Sequence, residues 1–209
     1  MTARVDHAVT SGTFSLDGQT FDVDNNVWVV GDDAECVVVD APHDVDAIRR
    51  TVGDRRVVAI LATHAHDDHV RVAPGLARAT GAPVLLHPAD RVLWDLVHPG
   101  LDPDGELADG QEITVAGTTL RVLHTPGHSP GACSFHAPAL GAVFTGDTLF
   151  AGGPGATGRS YSDFATIVES IRTRLLTLPP ETVVHTGHGA DTTVGAEAPH
   201  LPEWLARGH

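Results

Sequence analysis

The chain has 209 residues, 42% of them hydrophobic, which is enough for one domain with a sizeable core and no disulfide staples. Its 27 acidic residues outnumber 13 basic ones, all arginine, and the net charge of −14 argues against nucleic acid or an anionic membrane surface as the main partner. The N-terminal residues lack an apolar signal core and no run reaches about 18 apolar residues, so a cytoplasmic, non-membrane protein is expected, with residues 1–209 as a single domain.

In chain order, Phe14–Leu16, Phe21–Val23, Val27–Val30 and Cys36–Val39 read as short strands, with Asp17-Gly18 and Gly31-Asp32-Asp33 as hairpin turns. Cys36 and Cys133 lie in apolar runs outside any CxxC pair and read as reduced core residues. Asp40 ends a run of valines, where its carboxylate serves a turn or reaches a metal site as an outer partner. Asp44 is placed to cap a helix carrying Val45, Ile48 and Val52 and stopping at Gly53.

The apolar run Val57–Ala62 reads as a buried strand and leads straight into THAHDDH, Thr63–His69, where three imidazoles and two carboxylates fall within six residues. His64 and His66 are two apart, so in extended backbone they project to the same side and can close on one ion. Asp68 and His69 follow after a bend and can serve a second. A helix opened by Pro74 and stopped by Gly81, a strand at Pro83–His87 and a helix at Pro88–Val97 come next. Residues 98–117 form a polar surface connection rich in Pro and Gly.

Strands are then expected at Thr118–His124, Ala132–Ala137 and Ala142–Thr145, each ending near a residue with ligand chemistry. His128 lies in the tight loop TPGHSPG, and Asp147 directly follows Gly146. Residues 151–163 form a Gly-rich connection lacking the phosphate-loop pattern, read as a mobile loop near the site with Arg159 and Tyr161 as substrate contacts. Ser162 is expected to cap a helix whose stripe is Phe164, Ile167, Val168, Ile171, Leu175 and Leu178, ended by Pro179-Pro180. Thr182–His185 is the last strand and delivers His188; Pro202 opens a final short helix that packs through Trp204 and Leu205.

Seven candidate ligands result, too many for one tetrahedral ion but suited to two adjacent divalent ions sharing a carboxylate. The assignment places His64, His66 and His128 on one ion, Asp68, His69 and His188 on the other, and Asp147 across both. Nitrogen and oxygen donors without thiolate favour zinc, with iron or manganese as alternatives. His87, His98, His124, His136 and His185 read as core or surface residues, His185 being the nearest to the site in sequence.

HxHxDH at His64–His69, TPGH at Thr125–His128, GDT at Gly146–Thr148 and GHG at Gly187–Gly189, in this order, resemble the metallo-β-lactamase-fold hydrolases, and most of all their glyoxalase II-like branch. GDTLFAGGPG at 146–155 and TTVGAE at 192–197 match that branch as well. The resemblance implies an α/β fold, a four-layer αββα sandwich with both ions at one edge between two sheets, and Asp40 as an outer-shell carboxylate. It implies hydrolysis of a small-molecule thioester, with hydroxide between the two ions as nucleophile and Asp68 orienting it. Val70 and Arg71 stand where glycines commonly follow HxHxDH, and the chain lacks the longer C-terminal region that binds glutathione in larger members. The carrier thiol is therefore glutathione or mycothiol. The same fold accommodates a mononuclear iron persulfide dioxygenase, a lactonase or another ester hydrolase, and a non-enzymatic metal-binding or sensory module is the remaining reading. Oligomeric state is not written in the sequence.

Overall fold

The Asp17-Gly18 turn closes a far longer hairpin than the sequence pattern suggests. The computed structural model describes residues 2–208, and in it β1 (Arg4–Leu16) and β2 (Gln19–Gly31) pair antiparallel over their full length. Asp17 and Gly18 have φ of 53° and 73°, the paired left-handed conformation that matches the twist of the flanking strands. The two short strands expected at Phe14–Leu16 and Phe21–Val23 are only the tip of this hairpin. Its first half escaped notice because β1 is polar and half-exposed on the sheet edge, with little apolar alternation.

Beyond β2 come β3 (Glu35–Val39), α1 (Val45–Val52), β4 (Arg56–Leu61), α2 (Asp67–Val70), α3 (Ala73–Thr80), β5 (Val84–Leu86), α4 (Arg91–Val97) and β6 (Gly105–Glu106). The first sheet runs β1-β2-β3-β4-β5-β6, antiparallel to β3 and parallel from there. Parallel strands with helical crossovers are buried on both faces, which is why β3 is apolar without alternation from Cys36 to Val39. The bend expected inside the histidine cluster is the short helix α2, and the helix expected from Pro88 begins with a 3-10 turn over Pro88–Asp90. The polar connection at 98–117 also contributes β6 and β7 (Glu112–Val115).

The second sheet is built from β7, β8 (Thr118–His124), β9 (Cys133–Ala137), β10 (Ala142–Gly146), β13 (Val183–Thr186) and β14 (Thr192–Thr193), in the order β14-β13-β10-β9-β8-β7. A two-stranded ribbon, β11 (Leu149–Phe150) and β12 (Gly153–Pro154), follows β10. α5 (Phe164–Ser170) widens into a π turn over Ile171–Leu175, and α6 (Val194–Glu197) and α7 (Leu201–Arg207) close the chain. The cap of α5 is Asp163, one residue later than expected: its carboxylate accepts from Thr166 N, whereas Ser162 Oγ bonds Arg159.

Side-chain alternation sorts the core into three clusters and gives the four-layer αββα order. Val37 and Val39 face inward with Trp28, Val30 and Leu61 against Val122, Phe135 and Phe144 of the second sheet. Cys36 and Val38 face the other way, with Val27 and Val29, onto Ile48, Leu76, Leu93 and Trp94 of the helical layer. On the far side Val143 and Val184 meet Ile167, Val168, Ile171, Leu175 and Trp204. Cys36 and Cys133 are buried and unbridged, as expected. Leu205 does not pack with Trp204; it is 58% exposed. Among the described residues no helix is long and apolar enough to cross a membrane.

The two sheets are also stitched by polar contacts near the site: Asn26 Nδ2 donates to the Thr186 and Gly189 carbonyls, and Trp28 Nε1 to Thr186 O. Phe135 is fully buried between the sheets. Phe135→Ala is expected to cost about 3–5 kcal/mol of stability by leaving an uncollapsed cavity, read as a lowered urea midpoint with unchanged slope.

Candidate metal centre

Four strand ends and the loops after them converge at one edge of the sandwich. β4 delivers Thr63–His69, β8 the loop with His128, β10 Asp147, and β13 His188. Asp40, at the end of β3, organises the first of these. Its carboxylate accepts from Thr63 N and Thr63 Oγ1, each at 2.8 Å, and from His69 Nδ1 at 2.8 Å. Asp40 itself adopts φ of 63°, rare for a non-glycine residue and sustained here by the bonds its carboxylate makes. Of its two sequence-level roles, the structure assigns the outer partner of the histidine cluster.

All seven sequence-predicted ligands come together. His64 Nε2 and His128 Nε2 each lie 3.0 Å from His66 Nδ1, forming the first nitrogen triangle. Asp68 Oδ2, His69 Nε2 and His188 Nε2 form the second, with edges of 3.2, 3.3 and 3.6 Å. Asp147 lies between the sets: Oδ1 is 3.3 Å from His69 Nε2, and Oδ2 is 3.4 Å from His188 Nε2 and 3.6 Å from His128 Nε2. Glycine is required beside this carboxylate, because a Cβ on Gly187 would sit 2.2 Å from Asp147 Oδ1 and 2.8 Å from the His69 ring.

The outer nitrogens decide what the inner ones offer. His188 Nδ1 donates to Asp24 O at 2.7 Å, His128 Nδ1 to Ala156 O at 2.8 Å, and His69 Nδ1 to Asp40. Thr63 Oγ1 spends its proton on Asp40 and so accepts from His64 Nδ1 at 3.1 Å. Four imidazoles thus turn Nε2 inward, the arrangement by which outer hydrogen bonds prepare histidine for a cation. Asp147 Oδ1 is buried without a hydrogen-bond partner, with the His69 ring nitrogen at 3.3 Å and the Gly187 backbone beside it. Converging ring nitrogens and an unpaired buried carboxylate oxygen are costly in the absence of positive charge, and they fit divalent ions.

The electrostatics differ between the two sets. Burial and neighbouring imidazoles hold His64 well below its ordinary value and bring His66 down to about 3. Burial pulls His188 the same way, but Asp147 and Asp68 outweigh it and lift His188 to about 10; Asp147, Asp68 and Asp40 likewise raise His69. Burial would raise both carboxylates, yet His69 and His188 take Asp68 down to about 2 and Asp147 well below the usual range. The two Nε2 atoms of His69 and His188 are 3.3 Å apart, so one inward proton is the most this pair can hold comfortably. A proton there does in part what a cation does.

A second buried carboxylate, Asp90, ties the loops of the first triangle together. It accepts from Ala65 N between His64 and His66, and from Ser129 Oγ and Gly131 N beside His128. Sequence reasoning passed over Asp90, whose position after His87-Pro88-Ala89 reads as an ordinary helix start. It also missed Asn25, which reaches the second triangle, although two asparagines directly before the apolar run Val27–Val30 were a visible signal.

The centre opens into a cavity of 190 Å³ walled by Phe14, Phe21 and Val23 from the hairpin tip and by Ala156 and Arg159 from the Gly-rich loop. The Arg159 guanidinium lies over the Phe21 and Phe14 rings at 4.7 and 5.4 Å, and Ser160 N donates to Asp17, so hairpin and loop clasp each other above the metal centre. Arg71 donates to Thr13 O and pairs with Asp67, which in turn accepts from Ser15 N. It props the hairpin tip. Tyr161 is 46% exposed and is not part of the cavity wall. His185 is turned away, bonded to Asp191 and packed on Trp28.

The family model of the metallo-beta-lactamase superfamily matches residues 20–188, and the chain belongs to that superfamily. A hydroxyacylglutathione hydrolase of Haemophilus influenzae, GloC, is 30% identical over 82% of this chain and 87% of its own length. Among solved structures, TTHA1623 in a di-iron-bound form is 37% identical, covers 84% of this chain and 93% of its own, and superposes with a TM-score of 0.74. BLEG-1, described as a B3 metallo-beta-lactamase, is 30% identical over 93% of this chain and 99% of its own, with a TM-score of 0.78. The metal-dependent hydrolases are therefore the class to which fold and site correspond.

Asp147 and Asp68 favour an inward proton on His188, and filling the second triangle is expected to displace it. Apparent zinc affinity of this set is expected to strengthen about tenfold per pH unit per proton released between pH 6 and 8. Calorimetric titration in buffers of different ionisation enthalpy reads the released proton directly; an affinity and heat independent of pH and buffer would contradict the assignment.

Proposed function

We propose that this chain is a dinuclear metal-dependent hydrolase that cleaves the thioester of a small-molecule thiol. The observation that carries the two-ion part is the position of Asp147 within 3.3–3.6 Å of imidazoles from both triangles. His64, His66 and His128 would hold one ion, Asp68, His69 and His188 the other, with Asp147 shared and zinc the leading candidate over iron or manganese. When bound, such a pair of cations acidifies a water to hydroxide near neutral pH and polarises an acyl carbonyl.

The chain's own residues supply the rest. Asp68, held through Asn25 and lining the cavity, orients the attacking water, and Asp40 and Thr63 fix the imidazoles. Phe14, Phe21 and Val23 give a short apolar wall suited to a small acyl group, and keep bulk water from its reacting carbonyl. Arg159 sits where it can meet an anionic group on acyl or carrier, its charge already spread over two rings. A thiol with pKa of about 8.5 departs as thiolate, so no dedicated general acid is needed, and none lines the cavity beyond the ligand set. Similarity to GloC supports the thioester reading, and glutathione and mycothiol both remain within it as carriers.

A panel of lactoyl thioesters of glutathione and mycothiol, a lactone, a β-lactam and a persulfide with oxygen monitoring tests this. Thioester turnover is expected to lead the panel. Asp147→Ala should lower its kcat/KM at least about a thousandfold, about 4 kcal/mol of transition-state stabilisation. Preferred turnover of the lactone or β-lactam, oxygen uptake with the persulfide, or undiminished thioester hydrolysis by the variant would each sink the proposal.

A further inference from the structure

Asn25 is fully buried at the middle of β2, where the exposed first half of the strand gives way to the buried one, two residues before the apolar run that starts at Val27. Its Nδ2 lies 3.1 Å from Asp68 Oδ2, 3.3 Å from His69 Nε2 and 3.3 Å from His188 Nε2. Those three atoms are themselves 3.2–3.6 Å apart, so the amide nitrogen stands as the fourth corner of a nearly regular tetrahedron, over one face of the second triangle. No hydrogen bond joins it to Asp147, whose Oδ1 is unpartnered and which lines the cavity together with Asp68 and His188, whereas Asn25 does not.

Which end of the amide faces the triangle is set by His43. Its Nε2 lies 2.8 Å from Asn25 Oδ1, while its Nδ1 is buried with no partner. A buried N–H without an acceptor is the costlier orphan, so the proton belongs on Nε2, where it donates to Oδ1 and turns the amide NH2 toward Asp68, His69 and His188. Gly12 makes room for this ring, since a Cβ there would lie 2.3 Å from His43 Nδ1. An amide nitrogen has hydrogens to donate and no lone pair for a cation. It therefore steadies Asp68 through a charge-assisted hydrogen bond and closes its face of the triangle to any further ligand, water included.

We propose that Asn25, held by His43, is a positioning residue for the second ion: it orients Asp68 and keeps the coordination number of the Asp68–His69–His188 set low by sealing a face of the triangle away from the cavity lining, in which Asn25 takes no part. This rests on the two-ion reading of the preceding subsection, though not on the substrate. With that face sealed, the position left open for water or substrate is on the cavity side, which is what hydrolysis requires. The role is distinct from that of Asp40, which acts on the outer nitrogen of His69 and on Thr63 and leaves the open faces untouched.

The test is titration of the metal-free full chain with Co²⁺, following calorimetry and visible absorption, for wild type, Asn25→Ala, His43→Leu and His43→Gln. In Asn25→Ala the first ion is expected to bind within about twofold of wild type and the second about 10–100-fold more weakly. The bands of the second Co²⁺ should lose intensity as water enters the unsealed face and raises the coordination number. His43→Leu should reproduce part of the effect, and His43→Gln, which keeps a donor for Asn25 Oδ1, should restore it. Unchanged second-ion affinity and spectrum in Asn25→Ala would overturn the inference alone, as would equal weakening of both ions together with a fallen urea midpoint. Uptake of a single Co²⁺ by wild type would overturn the two-ion reading and this inference together.

Discussion

The Asp40 carboxylate is the contact on which the rest of the molecule's working edge depends. It is 3% exposed, sits on a left-handed backbone, and joins the end of β3 to the loop after β4 by accepting from Thr63 N, Thr63 Oγ1 and His69 Nδ1. Hydrogen bonds to a charged group contribute about 1.5–3 kcal/mol each, and a buried carboxylate deprived of them is costly. The backbone strain at Asp40 is thus offset by the bonds that this conformation allows. Through Thr63 the same carboxylate settles the tautomer of His64, so one buried charge prepares an imidazole in each triangle. Asp90 does the corresponding work for the loops carrying His66 and His128. Side chains that lie beyond the strand ends, on loops and in α2, are thus tied to one another by buried carboxylates.

Local charge then separates the two halves of the centre. His64, His66 and His128 form an all-nitrogen set in which burial disfavours charge on His64 and His66, whereas Asp40, Asp68 and Asp147 favour a proton on the His69–His188 pair. The excess of acidic residues that excluded nucleic acid from the sequence alone has one of its concentrated expressions here. Across the cavity from the ligand set the wall is Phe14, Phe21 and Val23, and Arg159 is parked on the two aromatic rings and tied to Gln19. Hairpin tip and Gly-rich loop, far apart in sequence, share a roof because a guanidinium stacks on aromatic faces while keeping its donors free.

The parts of this design that follow a local rule were legible in the sequence. Ligand residues at strand ends, the valine strand, the apolar stripe of α5 and the Asp17-Gly18 turn each carry a periodicity or a turn chemistry that survives in one dimension. What was not legible depends on the third. β1 hides its strand character because an edge strand needs no apolar alternation, and its pairing with β2 is fixed by a turn whose reach the pattern does not reveal. Asp90 and His43 look like any surface polar residues until the fold brings Gly131 and Gly12 against them. Asn25 carried a signal, a polar residue directly ahead of an apolar run, but its partners lie 43, 44 and 163 positions away. Ser162 and Asp163 are both good caps, and the choice between them was made by the loop, which engages Ser162 with Arg159.

The central claim is that one edge of this sandwich holds two divalent ions bridged by Asp147. Anomalous diffraction from crystals of the chain loaded with zinc tests it most directly. The account predicts two peaks about 3.5–4 Å apart, one at His64, His66 and His128, the other at Asp68, His69 and His188, with Asp147 density reaching both. A single peak under saturating zinc, or peaks that leave Asp147 unliganded, would contradict it.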